Sequence, residues 1–278
     1  MTGTLYLCAT PIGNLSDITP RVLDTLREVD VIAAEDTRNS IRLLNHFEIK
    51  TPMTSYHEHN KIEKARQLIA WLKEGRNIAL VTDAGTPAIS DPGEVLVAEC
   101  LKEGIAVTSL PGCCALITAL TLSGLPTRRF CFEGFLPADK KERKFVLQEL
   151  QHEVRTIILY EAPHHLKGTL GELYEALGNR RITLCRELTK RFETIFPTML
   201  SEALAYYEEN EPRGEYVLVL EGMDRESLEQ DKQRKWQRLS VQEHVHLYEE
   251  QGLSRKDAMK RAAQDRGMSR REIYQQLL

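Results

Sequence analysis

Over most of its length the chain alternates between two hydrophobic periods. Short apolar runs rich in β-branched residues stand at 5–9, 31–34, 78–82, 106–110, 130–135, 156–160, 181–186 and 216–220. Between them, apolar residues recur at helical spacing. Strand and helix in repeated succession predict an α/β architecture with a mainly parallel sheet, because parallel neighbours need a long crossover and a helix supplies it. Helix punctuation agrees. Thr19 before Pro20 is a cap followed by proline at the first helical position, and Asn60 with Glu63 has capping-box spacing. Gly75, Gly104, Gly124 and Gly178 stand where helices should stop.

A length of 278 residues suits two domains at about 150 residues each. Breaks at Gly124-Leu125-Pro126 and after Gly222 predict an N-terminal α/β domain over 1–123, a C-terminal α/β domain over 124–224 and a small helical tail over 225–278. The 37 Lys and Arg against 41 Asp and Glu exclude a protein that coats nucleic acid by bulk charge. Cysteines at 8, 100, 113, 114, 131 and 185 form no Cys-x-x-Cys pair. They read as apolar fillers in a reducing cytoplasm, with no metal site. The first basic residue is Arg21, which argues against a secretory signal. Residues 104–127 carry no charge, a length that would cross a membrane. Pro111-Gly112 splits that stretch, so a buried strand, a turn and a buried helix are expected, and no membrane partner.

None of the 16 glycines forms Gly-x-Gly, so the dinucleotide fingerprint is absent. Glycine–proline turns follow three strands instead: Thr10-Pro11-Ile12-Gly13, Asp83-Ala84-Gly85-Thr86-Pro87 and Leu110-Pro111-Gly112. Carboxyl ends of strands are where α/β sheets bind ligands, and these turns could line one cleft or be merely tight connections.

The run Val81-Thr-Asp-Ala-Gly-Thr-Pro-Ala-Ile-Ser-Asp-Pro-Gly93 is joined by four further motifs: Thr10-Pro-Ile-Gly-Asn-Leu-Ser-Asp-Ile-Thr19, Ala34-Glu-Asp-Thr-Arg38, Tyr160-Glu-Ala-Pro-His164 and Arg186-Glu-Leu-Thr-Lys190. Taken in their order along the chain they resemble the tetrapyrrole methylase superfamily, from about residue 4 to residue 222. Within it, the chain is similar to the small-subunit ribosomal RNA ribose 2′-O-methyltransferases that modify a cytidine in the decoding region of 16S rRNA. The resemblance implies a non-Rossmann fold with S-adenosyl-L-methionine bent in a cleft between two α/β domains. It places the cofactor against Pro11, Asp83, Ala84, Gly85, Thr86, Ile89, Cys114 and Ala115 of the first domain, and Tyr160, Glu161 and Leu188 of the second. It also implies a homodimer acting on 16S rRNA or the small subunit. One position departs from the pattern: His165 stands where arginine is expected.

Methyl transfer from a sulfonium is an in-line displacement, helped chiefly by alignment in a dry site. A ribose hydroxyl also gains from a carboxylate that orients or deprotonates it and a cation beside the developing alkoxide. Glu187 or Asp36 is expected in the first role. Arg186, Lys190 and Arg38 are expected around the phosphates of the target nucleotide. An interdomain salt-bridge network is the alternative reading of the same residues. His57 and His59 suit a surface loop better than a metal site, and Trp71 reads as helix core.

The tail differs in sign from the body. Residues 225–278 hold 12 Lys and Arg against 9 Asp and Glu, whereas the preceding residues hold 25 against 32. Ser254-Arg-Lys-Asp257 and Ser269-Arg-Arg-Glu272 are capping-box starts, with Gly267 ending the first helix. Ala258, Ala262, Ile273 and Leu277 offer a small core. Arg255, Lys256, Arg270 and Arg271 sit in first turns, where a helix dipole disfavours cations, and suit RNA phosphates; a dimerisation or docking tail is the other use. Two other functions compete with rRNA methylation: methylation of a tetrapyrrole precursor, and non-catalytic RNA binding.

Overall fold

The computed structural model describes residues 2–228, 236 and 239–277. Two five-stranded sheets carry the body. The first joins β1 (Thr4–Cys8), β2 (Val31–Ala34), β3 (Met53–Ser55), β4 (Ile78–Val81) and β5 (Ala106–Leu110) in the order β3-β2-β4-β1-β5. All its pairings are parallel. Alternation along the strands divides its faces. Cys8, Ile32, Ala34, Ala79 and Val81 pack with α1 (Pro20–Glu28) and α2 (Thr37–His46); Leu5, Leu7, Ala33, Ile78 and Leu80 pack with α3 (Lys61–Lys73) and α4 (Gly93–Lys102).

The second sheet joins β6 (Phe130–Phe135), β7 (Thr156–Glu161), β8 (Arg181–Arg186), β9 (Thr194–Met199) and β10 (Tyr216–Leu220) in the order β6-β7-β10-β8-β9. Only β6 and β7 are parallel, so this sheet departs from the expected parallel one. For the β8–β9 pair the reason is local: residues 187–193 between them are too few for a crossover, which takes a dozen or more, and a hairpin results. Tyr216, Leu218 and Leu220 face α6 (Lys140–Leu150), α7 (Pro163–Leu177) and α8 (Leu200–Glu209). Val217 and Val219 face α5 (Ala115–Leu122). Thus α5 closes the first unit in sequence but covers the second sheet in space.

Helix α7 shows the local logic. Pro163 presets its first turn, Leu166, Leu170, Leu173 and Leu177 recur on one buried face, and Gly178 at φ +78° stops it. Each leucine so buried contributes about 1.5–3 kcal/mol. Asn60 does not cap α3: its Oδ1 accepts from the His57 amide at 2.9 Å, tightening the preceding turn. Strand β5 is not buried as expected, because it lies at a sheet edge. No helix among the described residues is long and apolar enough to cross a membrane.

The tail folds as α9 (Val241–Glu250), α10 (Arg255–Arg266) and α11 (Arg270–Gln276) around Ala258, Ala262 and Ile273, with Leu277 packed against them. Ser254 and Ser269 accept from the amides of Asp257 and Glu272 at 3.2 and 3.3 Å. Residues 229–235, 237, 238 and 278 of the expected tail, and residue 1 of the expected first domain, lie outside the described residues.

Candidate functional site

The turns after β1, β4 and β5 are laced together. Thr10 and Gly85 exchange both backbone hydrogen bonds, at 2.9 and 3.0 Å, and Thr86 Oγ1 donates to the Cys113 carbonyl at 2.9 Å. Gly85, at φ +86°, brings this loop against Ile12 and the Cys113 carbonyl, a conformation that favours glycine. Opposite stands the turn after β8. Gly13 lies so close to Leu188, Thr189 and Lys190 that a Cβ there would fall 2.4 Å from Lys190 Cγ. Between the two walls is a cavity of about 450 Å³.

Backbone strain collects on both walls. Ala88 and Ser90 flank Ile89 with φ of +67° and +59°; Glu187 and Thr189 flank Leu188 with φ of +52° and +64°. Non-glycine residues held this way cost about 1–3 kcal/mol each and persist where the fold over-determines them, commonly at ligand clamps. In both cases the flanked residue is an apolar side chain lining the cavity.

Charge in the cleft is organised around Lys190. Its Nζ donates to Glu187 Oε1 at 2.9 Å and to Glu215 Oε2 at 2.7 Å, while the Glu215 amide donates to the same Glu187 oxygen at 3.0 Å. Burial pushes the Glu187 carboxyl up, but the Glu215 amide and Lys190 outweigh it and hold it below the ordinary carboxylate range. Burial opposes the charge on Lys190 as well; its two carboxylate partners prevail and keep it protonated. Gly214 makes room for this arrangement, since a Cβ there would lie 2.5 Å from Glu187 Cγ. On the facing wall, burial raises Asp83 and Asp91, and Glu35 accepts from Thr82 Oγ1 at 2.6 Å. Glu161 is buried and satisfied by the Thr169 hydroxyl and the Ala162 amide. Tyr160, pushed up to about 12 by burial, packs edge-on to Phe132 and Phe135.

Residues 4–204 match the family described as Tetrapyrrole (Corrin/Porphyrin) Methylases. The chain belongs to the tetrapyrrole methylase family. Among tetrapyrrole methylases it is 51% identical over 272 residues to the ribosomal RNA small subunit methyltransferase I of Halalkalibacterium halodurans, across 98% of this chain and 93% of that protein. The Bacillus subtilis protein of the same name is 48% identical over the same shares, and the chain groups with these proteins. Diphthine synthase aligns with a TM-score of 0.64 at 13% identity, over 79% of this chain and 90% of that one. A Thermus thermophilus uroporphyrin-III C-methyl transferase complexed with S-adenyl homocysteine aligns at 0.55 and 19%, over 79% and 97%. At these identities the two structures show a shared fold.

In this tetrapyrrole methylase the cavity brings together Asp83, Ala84, Gly85, Thr86, Ile89, Cys114, Ala115, Tyr160, Glu161 and Leu188, with Glu187 and Lys190. It does not include Pro11, which faces a smaller cavity of about 230 Å³ beyond Asp83, shared with Asn39 and Arg42. Asp36 also lies outside the lining. It caps α2, accepting from the Arg38 amide at 2.8 Å, and pairs with the Arg38 guanidinium, which holds it down to about 2. Arg38 itself is 88% exposed. Arg186 turns away to the Thr194 hydroxyl, at 3.0 Å, and the Phe192 carbonyl. Arg255, Lys256, Arg270 and Arg271 lie exposed on the first turns of α10 and α11, with Arg255 3.8 Å from Glu249. Sequence reasoning missed Glu215, whose only signal was the Arg213-Gly214 turn before β10, and Ser90, whose Oγ faces Gly134 of β6.

Proposed function

We propose that this protein transfers a methyl group from S-adenosyl-L-methionine to small-subunit ribosomal RNA, at the ribose 2′-hydroxyl of a cytidine in the decoding region of 16S rRNA. The cleft carries the reading. Its apolar surfaces from Ile89, Ala115, Tyr160 and Leu188 suit an adenosyl group, and Asp83, Glu161 and Glu187 surround the space with the negative charge a sulfonium and an ammonium need. The relatives' shared name supports the RNA, and the five ordered motifs support the ribose cytidine.

When bound, S-adenosyl-L-methionine supplies an electrophilic methyl group. The chain's task is to aim an oxygen at it. Glu187 Oε1 is occupied by Lys190 and the Glu215 amide, which leaves Oε2 to accept a hydrogen bond from the hydroxyl. With its proton affinity lowered, Glu187 orients more than it deprotonates. Lys190 uses two of its three donors inside the network; the third is left for the electron pair the oxygen keeps as the hydroxyl proton passes along the Glu187 hydrogen bond to solvent, while the O–C bond forms and the C–S bond breaks. Pro11 belongs to the rim, Asp36 sets the start of α2, and Arg186 braces the loop. Arg38 and the basic first turns of the tail take RNA phosphates. The enzyme works in the cytoplasm as a homodimer, which light scattering at twice the chain mass checks.

The deciding experiment incubates the protein with labelled S-adenosyl-L-methionine and small subunits lacking the modification, then maps the label. Transfer to one decoding-region cytidine ribose is the expected result. Label on a base, or none, overturns the assignment.

A further inference from the structure

The same strands that end at the cleft begin at a second, larger cavity. Strand β7 runs from Thr156 to Glu161, so the two lie roughly 17 Å apart along it. This cavity, of about 980 Å³, is lined by Arg128, Arg129, Arg155, Arg180, Arg181 and Arg225. Against these stand two acidic lining residues, Glu221 and Asp224. In a body with an excess of acidic residues, such a concentration calls for an explanation.

Two of the arginines are neutralised in place. Arg155 grips Glu153 with two hydrogen bonds, at 2.9 and 2.6 Å, and Arg181 lies 3.8 Å from Glu221. Arg180 is different. It is half-buried, and its guanidinium donates only to neutral carbonyls, those of Leu177 at 3.1 Å, Gln151 at 2.7 Å and Glu221 at 3.5 Å. Burial disfavours its charge, and Glu221 and Glu153 help only from a distance. Carbonyls fix the direction of a guanidinium without supplying the opposite charge. Arg128 and Arg129 are exposed on the turn before β6 and show no carboxylate partner among the described residues, nor does Arg225.

We infer that this arginine-lined groove is a second anion site, which binds phosphodiesters of the RNA substrate at a distance from the methylated nucleotide. The inference rests on the proposed function and extends it. A cavity this large exceeds a single phosphate, its positive charges are spread over several loops, and its wall includes Met223, Asp224, Arg225 and Ser227, at the junction in sequence between the second sheet and the basic tail. Arginine's planar fork suits phosphate oxygens.

The test pairs Arg128→Ala with Arg129→Ala in the full chain; both side chains are exposed, so the fold is undisturbed. Filter binding to protein-free 16S rRNA is expected to weaken about tenfold at moderate salt, with the slope of log affinity against log salt shallower by about 1.4 for two lost contacts. The KM for small subunits rises in parallel, while calorimetric affinity for S-adenosyl-L-methionine stays unchanged, and Arg→Lys at both positions restores most of the salt slope. Unchanged rRNA affinity and slope, in a preparation whose unaltered enzyme methylates subunits, overturns the inference and leaves the function intact. Weakened binding to assembled subunits but not to protein-free rRNA also overturns it, assigning the groove to a ribosomal protein. Absence of methyl transfer by the unaltered enzyme overturns the proposed function, and this inference with it.

Discussion

The two ends of the second sheet handle charge in opposite ways. Where β7 and β8 finish, Glu161, Glu187, Lys190 and Glu215 are tied to one another or to backbone amides. Where β7 and β8 begin, Arg128 and Arg129 reach solvent without a carboxylate partner among the described residues, and there Arg180 has carbonyls alone. An internally satisfied network is pre-organised, which suits alignment of a small reacting pair. A charged surface left incomplete suits a polyanion that arrives with its own counter-charge, at the cost of strong salt dependence.

The sharpest test of this contrast is Lys190→Ala. It strands Glu187 and Glu215 as neighbouring carboxylates in the cleft and removes the cation beside the reacting oxygen, so kcat is expected to fall by about 10²–10³. Affinity for rRNA, measured by filter binding, should not change. A variant that loses RNA affinity and keeps kcat would erase the distinction between the two ends.

Glu187→Gln comes next, with an expected loss of about tenfold in kcat, since an amide oxygen still accepts a hydrogen bond; removal of a general base costs about 10²–10⁴. The pH profile separates the two roles. Because its folded pKa is depressed, Glu187 stays ionised down to below the ordinary carboxylate value of 4.5, and what its network contributes is lost only as pH falls through that lower value. No acid limb at or above 4.5 should therefore belong to Glu187. A limb above that value that vanishes in E187Q would make Glu187 the base. Burial raises Asp83, so a limb that vanishes in Asp83→Asn is the expected source of any pH dependence there.

Arg270→Ala with Arg271→Ala is expected to raise KM for subunits about threefold and to flatten the salt slope by about 1.4, leaving kcat unchanged. The smallest effect is that of Ser269→Ala. It removes the cap of α11 and should cost the tail about 1 kcal/mol in denaturant unfolding, with no change in cofactor affinity.

Much of this molecule is legible in its sequence. The alternating apolar runs announced all but two of the strands. The two exceptions, β3 and β9, are both at sheet edges: β3 is short and β9 contains Pro197, which an edge tolerates and a central strand does not. The strand-end turns were visible as glycine–proline pairs, and the tail helices as serine caps with acidic residues three positions on. Less visible was which charged residues face the cleft. Glu35 and Asp36 are neighbours in sequence, yet Glu35 lines the cavity while Asp36 caps a helix and grips Arg38. Arg186 and Glu187 divide in the same way: Arg186 is the last residue of β8 and bonds to Thr194, while Glu187, left-handed at φ +52°, lines the cavity.

Sequence by itself determined most of the elements, most of their caps and the family, since hydrophobic period, proline and glycine act over a few neighbouring residues. Tertiary structure alone decided that the second sheet is mixed, that α5 covers it, that Glu215 completes the pair formed by Glu187 and Lys190, and that arginines scattered from position 128 to 225 share one groove. Those outcomes depend on loops too short to cross over and on contacts between residues far apart in the chain. Neither leaves a periodic trace in the sequence.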